Sequence, residues 1–96
     1  MKEKPEYLLK YISNDTYKKI LKFNGDYILE NLVDNRVDVD LNIRHLLKLG
    51  IKNIDVVAIE RLDDLLLDNN LFIDKMTEYE KKLTKEGLIN MLENSL

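Results

Sequence analysis

Apolar residues recur at intervals of three and four positions along most of the chain, and this spacing constrains the fold more than any other feature. Residues at i, i+3 and i+4 lie on one face of an α-helix, so each such segment is an amphipathic helix with one side to bury. Proline, which interrupts helices, occurs only as Pro5. The pattern therefore predicts an all-α protein. The 96 residues suit a single all-helical domain, residues 1–96, folded as a compact bundle of helical hairpins.

The periodic segments predict six to seven short helices. They cover residues 5–12, 16–24, 27–33, 41–49, 54–67, 72–86 and 88–92. Residues 37–41, in which apolar and acidic side chains alternate, are predicted to be a connector. The β-branched residues at 54–59 also fit a buried strand, but the helical period continues through Leu66 and favours a helix. Residues with oxygen-bearing side chains are placed to cap helix N-termini at Ser13, Asn14, Asp15, Asp40 and Asn53.

Three glycines, Gly25, Gly50 and Gly87, each follow a segment with helical spacing. A glycine just beyond a helix adopts the left-handed conformation without the steric penalty of a Cβ atom. We therefore expect each of the three to end a helix.

Between residues 42 and 88, several apolar residues fall near the apolar positions of a known helical repeat: Leu46, Leu47, Leu49, Gly50, Ile51, Leu65 and Leu66. In this respect the segment resembles the repeat of the mitochondrial transcription termination factor family. The resemblance implies a curved stack of helical hairpins that binds duplex nucleic acid. Asp63 stands where that repeat usually has proline, so the chain is not assigned to the family.

The composition excludes several functional classes. The chain has no cysteine, so it has no disulfides, thiolate metal sites or thiol nucleophiles, and this suits a cytoplasmic protein. No apolar run approaches the roughly 18 residues of a membrane-spanning helix, so we expect no membrane partner. The single histidine, His45, is expected on the polar face of its helix. We therefore expect no catalytic site, no cofactor and no enzyme activity.

Acidic residues around position 40 suggest a calcium loop, because Asp38, Asp40 and Asn42 match the first three ligand positions of an EF-hand. The match fails at the sixth and twelfth positions, where Ile43 and Leu49 replace the glycine and the bidentate glutamate. We therefore expect no metal site.

Charge is unevenly distributed, although the net charge is only −3. Residues 1–24 carry six lysines against three acids, or +3, whereas residues 25–74 carry five bases against eleven acids, or −6. Complementary charge speeds encounter and selects partners. The leading hypothesis is a non-catalytic protein–protein interaction module that regulates or inhibits a partner, such as a nucleic-acid-processing enzyme. Its predicted acidic face consists of Asp34, Asp38, Asp40, Asp63, Asp64 and Asp68.

The alternative is a nucleic-acid-binding protein that uses a cationic face on the second and fourth predicted helices. Lysine and arginine clustered on one face are the usual electrostatic footprint for phosphates. The residues that would form this face are Lys18, Lys19, Lys22, Arg44 and Lys48. A homo-oligomer is a third hypothesis, in which a second copy of the chain is the partner.

Overall fold

Amphipathic helices account for almost all of the described chain, which is residues 3–94 of a computed structural model. A 3-10 helix comes first and six α-helices follow, with no strand in this range. The 3-10 helix is Glu6–Lys10, and the α-helices are α1 (Asn14–Phe23), α2 (Asp26–Asp34), α3 (Arg36–Leu49), α4 (Ile54–Glu60), α5 (Leu62–Leu65) and α6 (Asn69–Glu93). The prediction of an all-α bundle is confirmed.

One apolar core joins these helices. The long helix α6 packs against both α3 and α4, and α1 packs against α4 and the 3-10 helix. The shorter α2 and α5 contact α3. Every helix contributes buried apolar side chains, among them Leu8, Ile20, Leu32, Ile43, Val57, Leu65 and Phe72. Because the apolar faces of all the helices meet here, packing between helices supplies most of the stability of each one.

The predicted connector at residues 37–41 is wrong, because α3 already begins at Arg36. Val39 is fully buried and continues the helical stripe of Ile43 and Leu46, while Val37 remains exposed on the outer side of the helix. Apolar residues on both sides of one helix produced the alternation from which we predicted a connector. Asp40 consequently lies inside α3 and does not cap it.

The predicted helix at residues 54–67 is interrupted at Arg61, which separates α4 from α5. The Arg61 N–H donates to the carbonyl of Val57 and closes α4, while its own carbonyl accepts from the N–H groups of Asp64 and Leu65. The apolar period continues across the break because Leu62 and Leu65 are both buried. Periodicity therefore located the buried residues correctly but missed the interruption.

The last two predicted helices together form α6, which has one break, at Thr84. Thr84 has φ 66° and ψ 169°, and its Oγ1 accepts a hydrogen bond of 3.2 Å from the N–H of Gly87. Gly87 lies inside the helix, so the prediction that it ends a helix is wrong. The break falls three residues earlier because the threonine side chain caps the second half of α6.

Of the other two glycines, Gly50 alone ends a helix as predicted. It has φ 115°, and its N–H donates to the carbonyls of Leu46 and Leu47. Gly25 instead precedes α2 with an ordinary φ of −75°, and α1 has already ended at Phe23, with Asn24 as its C-cap. The Ser13 cap is confirmed, because its hydroxyl accepts from the Thr16 N–H. Asn53 precedes α4, but its side chain makes no capping bond.

Candidate acidic and basic surfaces

Asp40 joins α3 to the beginning of the chain. Its carboxylate accepts a hydrogen bond from the Tyr11 hydroxyl, lies 2.9 Å from Arg44 Nε and lies 3.7 Å from Lys10 Nζ. Arg44 Nε also contacts the Tyr11 hydroxyl. The hydrogen bond to Tyr11 and the charge of Asp40 raise the pKa of Arg44. Two predicted site residues of opposite charge, Asp40 and Arg44, are therefore paired with each other.

Asp38 and Asp68 hold the start of α6. Asp38 Oδ1 accepts from the Asn69 N–H at 3.1 Å, and Asp68 Oδ1 accepts from the Asn70 N–H at 2.9 Å. The buried Asn42 completes this junction. Its Nδ2 donates to the carbonyls of residues 65 and 67, and its Oδ1 accepts from Asn69 Nδ2. These side chains satisfy backbone groups at the junction, and the bond from Asn42 to the Leu65 carbonyl is buried.

Asp64 is also engaged within the chain. Its carboxylate accepts a 2.5 Å hydrogen bond from Lys75 Nζ and lies 3.8 Å from Arg61. The hydrogen bond to Asp64 raises the pKa of Lys75, because it favours the charged ammonium. This pair links α5 to α6.

Asp34 and Asp63 are exposed and have no hydrogen bond or ion pair within residues 3–94. Asp34 is the last residue of α2, and Asp63 lies on α5. The other four aspartates of the predicted acidic face are bound by the chain's own groups. A surface made of these residues therefore offers a partner two carboxylates free of internal contacts.

The predicted cationic residues lie on two helices. Lys18, Lys19 and Lys22 are exposed on α1, and no ion pair with them occurs in the described part of the chain. Arg44 and Lys48 lie on α3, which packs against α6, while α1 packs against α4. The three lysines of α1 share one helix, and we call them the α1 lysine cluster.

A groove between α1 and α4 lies beside this cluster. Ile20 is 2% exposed at its floor, and Phe23 and Ile59 are 72% and 44% exposed at its sides. Lys19 and Asn24 complete the lining of a space of about 470 Å³, which we call the α1–α4 groove. Sequence reasoning missed Phe23 as a surface residue. The available signal was its position directly after Lys22 and outside the stripe formed by Tyr17 and Ile20.

The single histidine, His45, packs against Phe72, with the two ring centroids 6.0 Å apart and the ring planes nearly perpendicular. Within residues 3–94, no three histidine or carboxylate side chains are grouped as a metal site. None of the helices described is both long and apolar enough to cross a bilayer. No protein-family model, curated protein or solved structure matches this chain.

Proposed function

We propose that this chain is a non-catalytic interaction module that regulates or inhibits a protein partner, with nucleic-acid-processing enzymes as one class of target. Its cysteine-free composition supports a cytoplasmic location as part of the same proposal. The observation that carries the proposal is the exposure of large apolar side chains outside a filled core. Phe23, Tyr27 and Val37 are 72%, 76% and 69% exposed.

These side chains are of the type that supplies binding energy in protein interfaces. Aromatic residues are enriched at the centres of interfaces, where a partner removes them from water. Burying each one against a partner is worth about 1.5–3 kcal/mol. None of the three is needed to fill the core, where Phe72 and Leu46 are nearly or fully buried.

The acidic half of the molecule supports selection among partners. Residues 25–74 carry a charge of −6, and Asp34 and Asp63 are the predicted acidic-face residues without internal contacts. A basic partner is attracted to such a surface at low ionic strength. Asp34→Asn together with Asp63→Asn is the appropriate test, because Asp38, Asp64 and Asp68 also hold the fold together.

The experiment is an affinity capture from native lysate, with half of the lysate treated with nuclease and with bound protein and nucleic acid both quantified. We expect to capture a protein partner that is still bound after nuclease treatment. Phe23→Ala or Asp34→Asn/Asp63→Asn should reduce the amount of this partner that is captured. Ile73→Val, a half-buried site on α6, is the control for general effects of substitution. Capture of nothing above the level of the empty matrix would contradict the proposal.

The second candidate function is nucleic-acid binding, which the α1 lysine cluster favours. Lys22 Nζ lies 5.5 Å from the centroid of the Phe23 ring, so cationic groups stand next to an exposed aromatic face. Single-stranded nucleic acids bind to this combination through phosphate contacts and base stacking. This candidate predicts that affinity falls steeply as salt rises. Loss of all captured partners after nuclease treatment would support it over the interaction module.

A further inference from the structure

We infer that the α1–α4 groove binds an acidic amphipathic helix of a protein partner, with apolar side chains in the groove and carboxylates over the α1 lysine cluster. This inference rests on the proposed interaction function and specifies the chemistry of the one segment that occupies the groove. A basic surface that meets Asp34 and Asp63 would be a different part of the partner. It depends on the shape of the groove, on the charge of its α1 side and on the different charge of its α4 side.

The groove has the size and lining of an anchor site for apolar side chains. Its floor is Ile20, and Phe23 and Ile59 provide apolar sides that are open to solvent. The space between them is about 470 Å³. Amphipathic helices commonly bind in such grooves through residues spaced at i, i+3 or i+4 and i+7.

The α1 side of the groove carries positive charge that nothing in the described fold neutralises. Lys18, Lys19 and Lys22 lie within two turns of α1, and none is ion-paired within residues 3–94. Lys19 itself lines the groove. Lys22 is held beside the groove by its contact with the Phe23 ring. Carboxylates on one flank of a bound helix would meet these ammonium groups.

The α4 side favours a peptide over a nucleic acid. This helix carries Asp55 and Glu60 and has no lysine or arginine. A phosphate backbone passing through the groove would be attracted to one side and repelled by the other. An amphipathic helix can carry its carboxylates on one flank of the apolar stripe only, and such a helix presents them to α1 alone.

A second surface depression lacks this unbalanced charge. It has a volume of about 250 Å³ and lies between the 3-10 helix and α3, where Val37 and Leu41 are exposed. Its cations are already paired, because Lys10 lies 3.7 Å from Asp40 and Arg36 lies 3.5 Å from Glu3. Of these two sites, only the α1–α4 groove therefore combines an apolar floor with unpaired lysines.

The test is selection of a phage-displayed library of random peptides, each about 16 residues long, on the immobilised full chain. We expect enriched peptides to combine aspartate or glutamate with leucine, isoleucine or aromatic residues at helical spacing. The tightest peptide is then synthesised with a fluorophore, and its affinity is measured by anisotropy. The triple variant Lys18→Glu/Lys19→Glu/Lys22→Glu should weaken binding at least about tenfold, and Phe23→Ala should weaken it about tenfold.

The control is Lys81→Glu/Lys82→Glu/Lys85→Glu, which reverses three exposed lysines of identical spacing on α6. It should change the affinity less than about twofold, because charges on α6 are not part of the groove. Circular dichroism verifies that each variant remains folded.

Three outcomes of the peptide experiment would overturn the inference: no enrichment, enriched peptides without acidic residues, or equal loss of affinity in the two triple variants.

Tighter binding of a fluorescent oligothymidine than of any peptide would also overturn the inference, in favour of single-stranded nucleic acid. Concentration-dependent mass in light scattering that Phe23→Ala abolishes would overturn it in favour of a second copy of this chain. A protein partner captured equally by the wild type and the groove variants would reject the groove and retain the interaction module.

Discussion

Thr84 has an unusual backbone conformation for a β-branched residue. Its φ of 66° and ψ of 169° lie in a region that glycine alone occupies readily, and such residues carry about 1–3 kcal/mol of strain. The hydrogen bond from the Gly87 N–H to Thr84 Oγ1 offsets part of this strain by capping the second half of α6. The threonine thus favours the break through its side chain and opposes it through its backbone.

Replacement of Thr84 by glycine is expected to raise the free energy of unfolding by about 1 kcal/mol. Glycine removes the steric strain, and its loss of the capping hydroxyl costs only a few tenths of a kcal/mol. Urea denaturation followed by circular dichroism measures the change. Thr77→Gly, at an exposed helical site of α6, is the control and should lower the stability by a few tenths of a kcal/mol. Equal destabilisation by both substitutions would show that Thr84 is unstrained.

Asn42 is the buried residue whose polar groups are most fully used. Its side chain bonds two carbonyls at the end of α5 and the side chain of Asn69. Asn42→Ala leaves these groups unpaired and opens a cavity, so we expect a loss of about 2–4 kcal/mol. Asn70→Ala, at an exposed position in the first turn of α6, should cost less than about 0.5 kcal/mol. Similar denaturation midpoints for the two variants would contradict the role of Asn42.

At the scale of elements, the sequence predicted α1 and its Ser13 cap well, because one apolar stripe and one capping hydroxyl both act locally. The interruptions at Arg61 and Thr84 were not predicted. Neither residue is a glycine or a proline, and each break is stabilised by backbone bonds or a side-chain cap that periodicity does not encode. The length of α3 was underpredicted because Val37 is apolar yet exposed.

The candidate surfaces were predictable only in part. Lys18, Lys19 and Lys22 share one helix, so helical geometry was enough to place them together. The α1–α4 groove needs Phe23 beside Ile59, and this proximity depends on which helices pack together. Similarly, the pairing of Asp64 with Lys75 is a tertiary contact that leaves no periodic signal.

The two halves of α6 carry leucines that differ in burial, and this difference predicts how much each leucine stabilises the fold. Leu88 is fully buried beyond the break, whereas Leu83 is 40% exposed just before it. Leu88→Ala should lower the free energy of unfolding by about 2–5 kcal/mol, and Leu83→Ala by less than about 1 kcal/mol. Urea denaturation of the pair measures both values. Equal effects would mean that the second half of α6 is not docked on the core.

For the whole molecule, the shifted pKa values all predict sensitivity to alkali. Burial raises the pKa of Tyr7 and of Tyr17, and the hydrogen bond to Asp64 raises the pKa of Lys75. A group whose folded pKa exceeds its unfolded pKa contributes stability that is fully present below the unfolded value. These contributions are therefore complete below about pH 10 and decrease as pH rises above it.

We expect the urea midpoint to fall as the pH rises above about 10. The Tyr7 hydroxyl donates a 2.6 Å hydrogen bond to the carbonyl of Leu32, so Tyr7→Phe should lower the midpoint at neutral pH and weaken its dependence on alkali. Tyr27→Phe, at an exposed site, is the control and should retain the full pH dependence. A midpoint independent of pH over this range would contradict the buried, neutral state of these tyrosines.

The position of α6 in the chain also has a consequence for biosynthesis. This helix packs against both α3 and α4, and it contributes the buried Leu88 and Leu92. A ribosome makes α6 after every other helix described here, so the nascent chain exposes the α6-facing sides of α3 and α4 until residues 88–92 have left the exit tunnel. The core is therefore completed only after nearly the whole of the described chain has been made. Until then, the α6-facing apolar sides of α3 and α4 are accessible to chaperones.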